Sequence, residues 1–191
     1  MYPKQVCAVL TNSYSIEDHN HRLAAWAAAT AARASKLCRF SVQKGVTILE
    51  NAGFRSDLAK PEQLPPPAKI DEVHLKWRSK VIEAAANEQL RFSHGVAAKL
   101  INCYLKVRFV CANCQDHRNV RSLHPPIDDL LLRSLAKENV GGLKKEWVRL
   151  RNARWSKFNS NTYQEVIDLI REVLPEDEPL WQIERFWIGF R

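Results

Sequence analysis

Residues 93–107 read SHGVAAKLINCYLKV. Ser93 is a residue type that caps helix N-termini, and Val96, Leu100, Cys103, Tyr104 and Val107 return at the three- and four-residue intervals of one helix face. The stretch is expected to be a helix with a buried side, and Lys99, Lys106 and Arg108 emerge between its apolar positions. A lysine in such a pattern has two readings. Its stem can lie over the core with the amine in water, or its amine can be desolvated, which lowers its pKa and makes it a nucleophile.

The flanking segments carry the same period. Asp71 to Leu90 places Val73, Trp77, Val81 and Ala85 on one face behind an acidic first turn, and Ser15 to Ala34 is alanine-rich with Ser15 and Asp18 spaced as a capping pair. In the latter, Leu23, Trp26 and Thr30 recur at helical intervals. Ser41 to Asn51 carries Val42, Val46 and Leu49 and stops at Gly53. Downstream, Pro125 and Pro126 precede a helix over Ile127 to Ala136, with Asp128 in its first turn. After Gly141-Gly142 a basic and aromatic helix is expected over Leu143 to Phe158, then a short amphipathic one over Thr162 to Leu174 and an aromatic end from Pro179 to Phe190. Cys111 to Leu123 is polar and irregular. Lys60 to Lys69, KPEQLPPPAK, holds four prolines and is expected to be an extended connection between two helical subdomains of one domain spanning residues 1–191. No stretch alternates with period two and no repeat recurs, so the fold class is all-α, a compact helical bundle.

At 191 residues, with 46% hydrophobic and 26% charged residues, the chain has material for one substantial core and lies outside the disordered and low-complexity classes. No apolar run approaches a membrane span, and Met1 to Leu10 lacks a basic stretch followed by an apolar core, so a soluble, cytoplasmic protein is expected. The formal net charge is +8, from 29 Lys and Arg against 21 Asp and Glu, which makes a polyanion the natural partner and nucleic acid the first choice. Five cysteines form an odd set, read as reduced thiols.

The run His94-Gly95-Val96-Ala97-Ala98-Lys99-Leu100-Ile101-Asn102-Cys103, followed by Pro125-Pro126-Ile127-Asp128, resembles the active-site region of helix-hairpin-helix DNA glycosylases, the 8-oxoguanine branch above all. The resemblance covers roughly residues 92–137 and implies that fold. It also implies a lysine nucleophile at Lys99, an essential aspartate at Asp128, and Cys103 in the pocket for the extruded base. Ala97 stands where the second hairpin glycine is usual, and the spacer from Lys99 to Asp128 is longer than usual, its extra residues falling near Cys111 to Arg121. The sequence also looks like short glycosylase-like proteins associated with phage defence, which points to a bulky modified cytosine such as glucosylated 5-hydroxymethylcytosine, with 8-oxoguanine as the alternative base.

The chemistry of excision needs the same pair. A departing base leaves positive charge on the sugar that the Asp128 carboxylate would stabilise, and Lys99, given a lowered pKa among Val96 and Leu100, would attack the sugar and then allow strand cleavage. Asn102, Cys103, Phe186 and Phe190 are the candidates for the base pocket. His94, Gly95, Lys106, Arg108, Lys144, Lys145, Arg151 and Arg154 are those for DNA contact. The expected partner is DNA with a modified base, met by a monomer without a cofactor or a metal. Two plainer readings stand beside this one. Asp128 is also what a helix N-cap selects, and a basic helical protein binds nucleic acid without catalysis. Cys111, Cys114, His117 and His124 have the residue types of a zinc site, with ordinary reduced cysteines as the other reading.

Overall fold

The computed structural model describes residues 14–33 and 38–189. Its elements are α1 (Ile16–Ala32), α2 (Val42–Asn51), α3 (Ile70–Asn87), α4 (His94–Leu105), α5 (Arg118–Arg121), α6 (Asp129–Lys137), α7 (Lys144–Ala153) and α8 (Ser160–Val173), with short 3-10 turns between them. The described residues are all-helical and contain no strand, and among them no helix is long and apolar enough to cross a membrane.

The helix starts follow from their caps. The side chains of Ser15, Ser41, Ser93, Asp128 and Asn159 each accept a hydrogen bond from the backbone N–H three residues on, satisfying donors that a helix start leaves unpaired. Every α4 residue from Gly95 to Leu105 except Cys103 is buried, the mark of a central helix. Around it lie α1, α3 and α8. One apolar cluster is built from α1 to α4 and includes Phe54, Leu100, Ile101, Leu105 and Phe109. A second is built from α6, α7 and α8 around Leu131, Trp147 and Ile167, and takes Ala98 from α4. Trp155 packs against both, so α4 is the seam between them.

Several expectations are corrected. In α1 the inward face is Ala24, Ala25, Ala28, Ala29 and Ala32, while Leu23 and Trp26 are exposed. Small residues let the helices approach closely: a Cβ on Gly45 of α2 would sit 2.6 Å from the Ala29 Cβ. In α3 the buried stripe is Ile70, His74, Arg78, Val81 and Ala85, and Val73 and Trp77 lie only at its edge. The chain beyond α4 continues as a π-type turn over Lys106–Cys114, broken at Ala112 and Asn113, before α5. Lys60 to Lys69 is not extended throughout, because Pro61–Gln63 and Pro67–Lys69 form 3-10 turns, whose first positions tolerate proline. The basic helix ends at Ala153, where Arg154 takes φ +64° and turns the chain into the 3-10 turn Trp155–Lys157. That reversal seats Trp155 at the seam, with the Ser93 hydroxyl donating to Ser156 O at 2.9 Å.

Candidate active site

Lys99 projects from the middle of α4 and Asp128 caps α6, and the two meet although 29 residues separate them. Lys99 Nζ donates to Asp128 Oδ2 at 2.8 Å, with the side chains only 8% and 16% exposed. The other carboxylate oxygen, Oδ1, accepts from Leu131 N at 2.8 Å, so one side chain serves as helix cap and ion-pair partner together. Trp187 Nε1 donates to Oδ2 at 3.0 Å. Lys99 Nζ also stands 5.9 Å from the centre of the Trp155 ring.

These contacts set the charges. Burial is the largest influence on Lys99 and opposes its ammonium, but the Cys103 sulfur, the Asp128 carboxylate and Glu184 outweigh it and hold the amine above the ordinary lysine range. Asp128 shows the converse: burial works to raise its pKa, and the charge and hydrogen bond of Lys99, with the N–H groups of Leu131 and Trp187, hold it below the usual carboxylate range. The expected lowering of Lys99 is thereby corrected: burial does act in that direction, but Cys103, Asp128 and Glu184 together overturn it. Cys103, one turn after Lys99, is a free thiol pushed up by burial. Lys106, a further turn on, pairs with Glu184 and lies 5.9 Å from the Trp187 ring centre.

Asn102 has a different task from the one its position suggested. It is buried, accepts from His74 Nε2 at 2.7 Å, and donates to Pro125 O at 2.8 Å and to the Tyr163 hydroxyl at 2.9 Å. Tyr163 in turn meets His124 Nδ1 at 3.1 Å, and His124 Nε2 meets Asp71 Oδ1 at 2.8 Å. Asp71 is clamped by both terminal nitrogens of Arg171, at 2.9 and 2.7 Å. One direction of donation accounts for every one of these contacts when both imidazoles are neutral and carry their proton on Nε2, and it leaves only the buried His74 Nδ1 without a partner. Burial lowers the pKa of both, which favours that state. The network ties α3, α4 and α8 to the His124-Pro125 segment and so fixes where Asp128 begins α6. Arg78 lies over the Tyr163 ring at 4.3 Å, 1% exposed.

The remaining candidates divide. Lys144, Lys145 and Arg154 are exposed, and Arg151 reaches Asp129 at 3.2 Å. Arg108 is not available to DNA: it is 6% exposed and donates to the carbonyls of Glu17, Leu58 and Ala59. Gly95 is committed to packing, because its N–H donates to Phe158 O at 3.2 Å and an added Cβ would sit 1.8 Å from Trp155 O. His94 is half-buried and its Nδ1 has no partner. Phe186 packs on the α6–α8 cluster, and Phe190 lies outside the described residues. The aromatic that reaches the ion pair is Trp187, and with Glu184 it is what the sequence reading missed. Of the four zinc-type residues, His124 is engaged by Tyr163 and Asp71, and among the described residues no three His, Cys, Asp or Glu side chains stand close enough to hold one ion.

Compared with protein families, with curated proteins and with solved structures, the chain has no match.

Proposed function

We propose that the chain is a DNA glycosylase of the helix-hairpin-helix kind, a cytoplasmic monomer that extrudes a modified base and excises it with Lys99 and Asp128. The observation that carries this reading is the 2.8 Å contact of those two side chains at the seam of the bundle. Convergence on one point is a condition the chemistry imposes and the sequence could not guarantee. In the free protein the pair is closed, with the lysine protonated. An extruded nucleotide entering between Lys99 and Trp187 would displace those contacts, leaving the Asp128 carboxylate to face the positive charge that develops on the sugar. Lys99, once its proton has passed to solvent, would bond to C1′ as the base leaves, and elimination from the resulting Schiff base would nick the strand. The preferred base is glucosylated 5-hydroxymethylcytosine, in a defence role, with 8-oxoguanine and repair as the alternative.

A second reading rests on the same pair. A buried lysine matched by a capping carboxylate is also a complete structural ion pair, and exposed Lys144, Lys145 and Arg154 suffice for a helical nucleic-acid binder without chemistry. Incubation with DNA carrying each base, followed by an abasic-site assay, separates the two. Excision from one substrate, abolished in Asp128→Asn and Lys99→Ala, supports the enzyme. Tight, salt-sensitive binding with no abasic sites on either supports the binder.

A further inference from the structure

Glu184 sits on the 3-10 turn Leu180–Phe186, three residues before Trp187. Its side chain is 14% exposed, and one oxygen, Oε2, accepts from Lys106 Nζ. The other, Oε1, is buried and has no hydrogen-bond partner. Buried carboxylate oxygens are almost always bonded, so an orphan of this kind asks for a ligand or a task. Contacts connect it to the ion pair: Lys106 lies beside the Trp187 ring, and Trp187 donates to the Asp128 oxygen that Lys99 also holds. Two carboxylates thus belong to one site and are treated in opposite ways. Burial raises Glu184 above its ordinary range, against the opposing pull of Lys106 and Lys99, while Asp128 is held down. Pairs pushed apart in this manner divide acid from base or charge stabiliser in carboxylate enzymes.

Resting on the glycosylase reading, we propose that Glu184 is the general acid of the site, its Oε1 carrying the proton that passes to the departing base. As the bond between C1′ and the base nitrogen breaks, its electron pair stays with the base, and the Glu184 proton moves to a ring heteroatom of that base. The new bond at C1′ forms to the nucleophile. The carboxylate left on Glu184 is then matched by Lys106, already in contact with it. A base whose departure is helped by protonation is therefore the substrate class, and the purine or pyrimidine leaves neutral. Trp187 bonds the Asp128 oxygen and lies beside Lys106, so a base entering between the two carboxylates would have to displace the indole.

Single-turnover excision of 8-oxoguanine or glucosylated 5-hydroxymethylcytosine, whichever the wild type releases, tests the assignment across the pH range. Glu184→Gln should slow excision by about 10²–10⁴-fold while DNA affinity holds, and should abolish the fall in rate at high pH that a required protonated acid imposes. Glu184→Ala should recover part of its rate when formate is added, a rescue that a purely structural glutamate would not give. The inference is overturned if Glu184→Gln stays within about threefold of the wild type with the same pH profile while Asp128→Asn is inactive, a result that leaves the glycosylase reading intact. It is equally overturned if formate restores nothing to a folded Glu184→Ala protein. A wild type that excises neither base removes both the reading and the inference.

Discussion

Replacing Asp128 by Asn removes the charge and one acceptor oxygen. Asparagine caps helices as well as aspartate does, so the bond from Leu131 N survives, but the amide NH2 then stands where Oδ2 accepted from Trp187 and Lys99, and both of those bonds are lost. The larger consequence falls on Lys99, left as an ammonium on a side chain 8% exposed with its partner gone. Breaking a buried pair from one side costs about 3–5 kcal/mol, a large part of the roughly 5–15 kcal/mol that holds a domain together. The pH dependence carries the sharper signature. In the wild type the folded pKa of Lys99 is raised, so its stabilising contribution is full below the unfolded value and is lost as pH rises through the folded one. In Asp128→Asn burial acts with one main opponent removed, and the folded pKa should fall below the unfolded value of about 10.4. The unfolded chain then binds more protons, and stability rises with pH through that window. Urea denaturation followed by tryptophan fluorescence at neutral and alkaline pH measures both quantities. A variant within about 1 kcal/mol of the wild type at pH 7, with an unchanged alkaline slope, would refute the account of the pair as desolvated and mutually dependent.

Arg108→Met should destabilise the fold by about 2–4 kcal/mol in the same denaturation assay, because it strips a charged donor from three carbonyls and from the α1–α4 packing around it. It should leave the salt dependence of DNA binding unchanged, whereas Lys144→Ala should reduce the slope of log affinity on log salt by about 0.9 if that lysine meets a phosphate. On the acid side, His74 and His124 have lowered pKa values in the fold, so they withhold protons that the unfolded chain takes up, and stability falls as pH drops through about 6.5. Asp71, held well below the carboxylate range by His124 and Arg171 against the burial that would raise it, adds a second loss below about pH 4. His124→Gln should shrink the first of these phases in a pH titration of unfolding to the part due to His74, and should reduce the second, because His124 is one of the two groups that hold Asp71 down.

The helices were legible because their signals are local. Serines at 15, 41 and 93 and the aspartate at 128 occupy the positions that caps require, and the apolar period of α4 and α6 needs no tertiary knowledge. Three things were not legible. In α1, alanine outnumbers the larger apolar residues, and only the approach of α2 and α4 decides that alanine faces inward. In α3, His74 and Arg78 share a stripe with Ile70 and Val81, but polar residues on a stripe read as its boundary until their partners Asn102 and Tyr163 are seen. The break at Arg154 uses neither glycine nor proline, and its cause is distant: Trp155 and Phe158 must meet Gly95. For the site, the residue types at 99 and 128 gave the pair, while Trp187 and Glu184 arrive from a turn almost sixty residues beyond Asp128, in a segment whose aromatic content drew attention to Phe186 and Phe190 instead.

The same contacts that stabilise Lys99 work against its use as a nucleophile. An amine paired at 2.8 Å with a carboxylate is protonated, and a protonated amine has no lone pair to offer. For the proposed chemistry, the substrate must supply what separates the pair. Binding energy from the duplex, spread over exposed lysines and arginines, can do so only if it is realised after the base has been extruded and the Trp187 bond to Asp128 has broken. Asp128 then loses two donors at once and faces the sugar with its charge uncompensated, which is the state that best stabilises the cation forming there. Lys99, relieved of its carboxylate and still buried, is drawn toward the neutral amine by the burial that Asp128 had opposed. The closed ion pair is on this view the resting form of a site that only a flipped nucleotide opens, and undamaged DNA, whose bases stay stacked, would leave both groups engaged with each other.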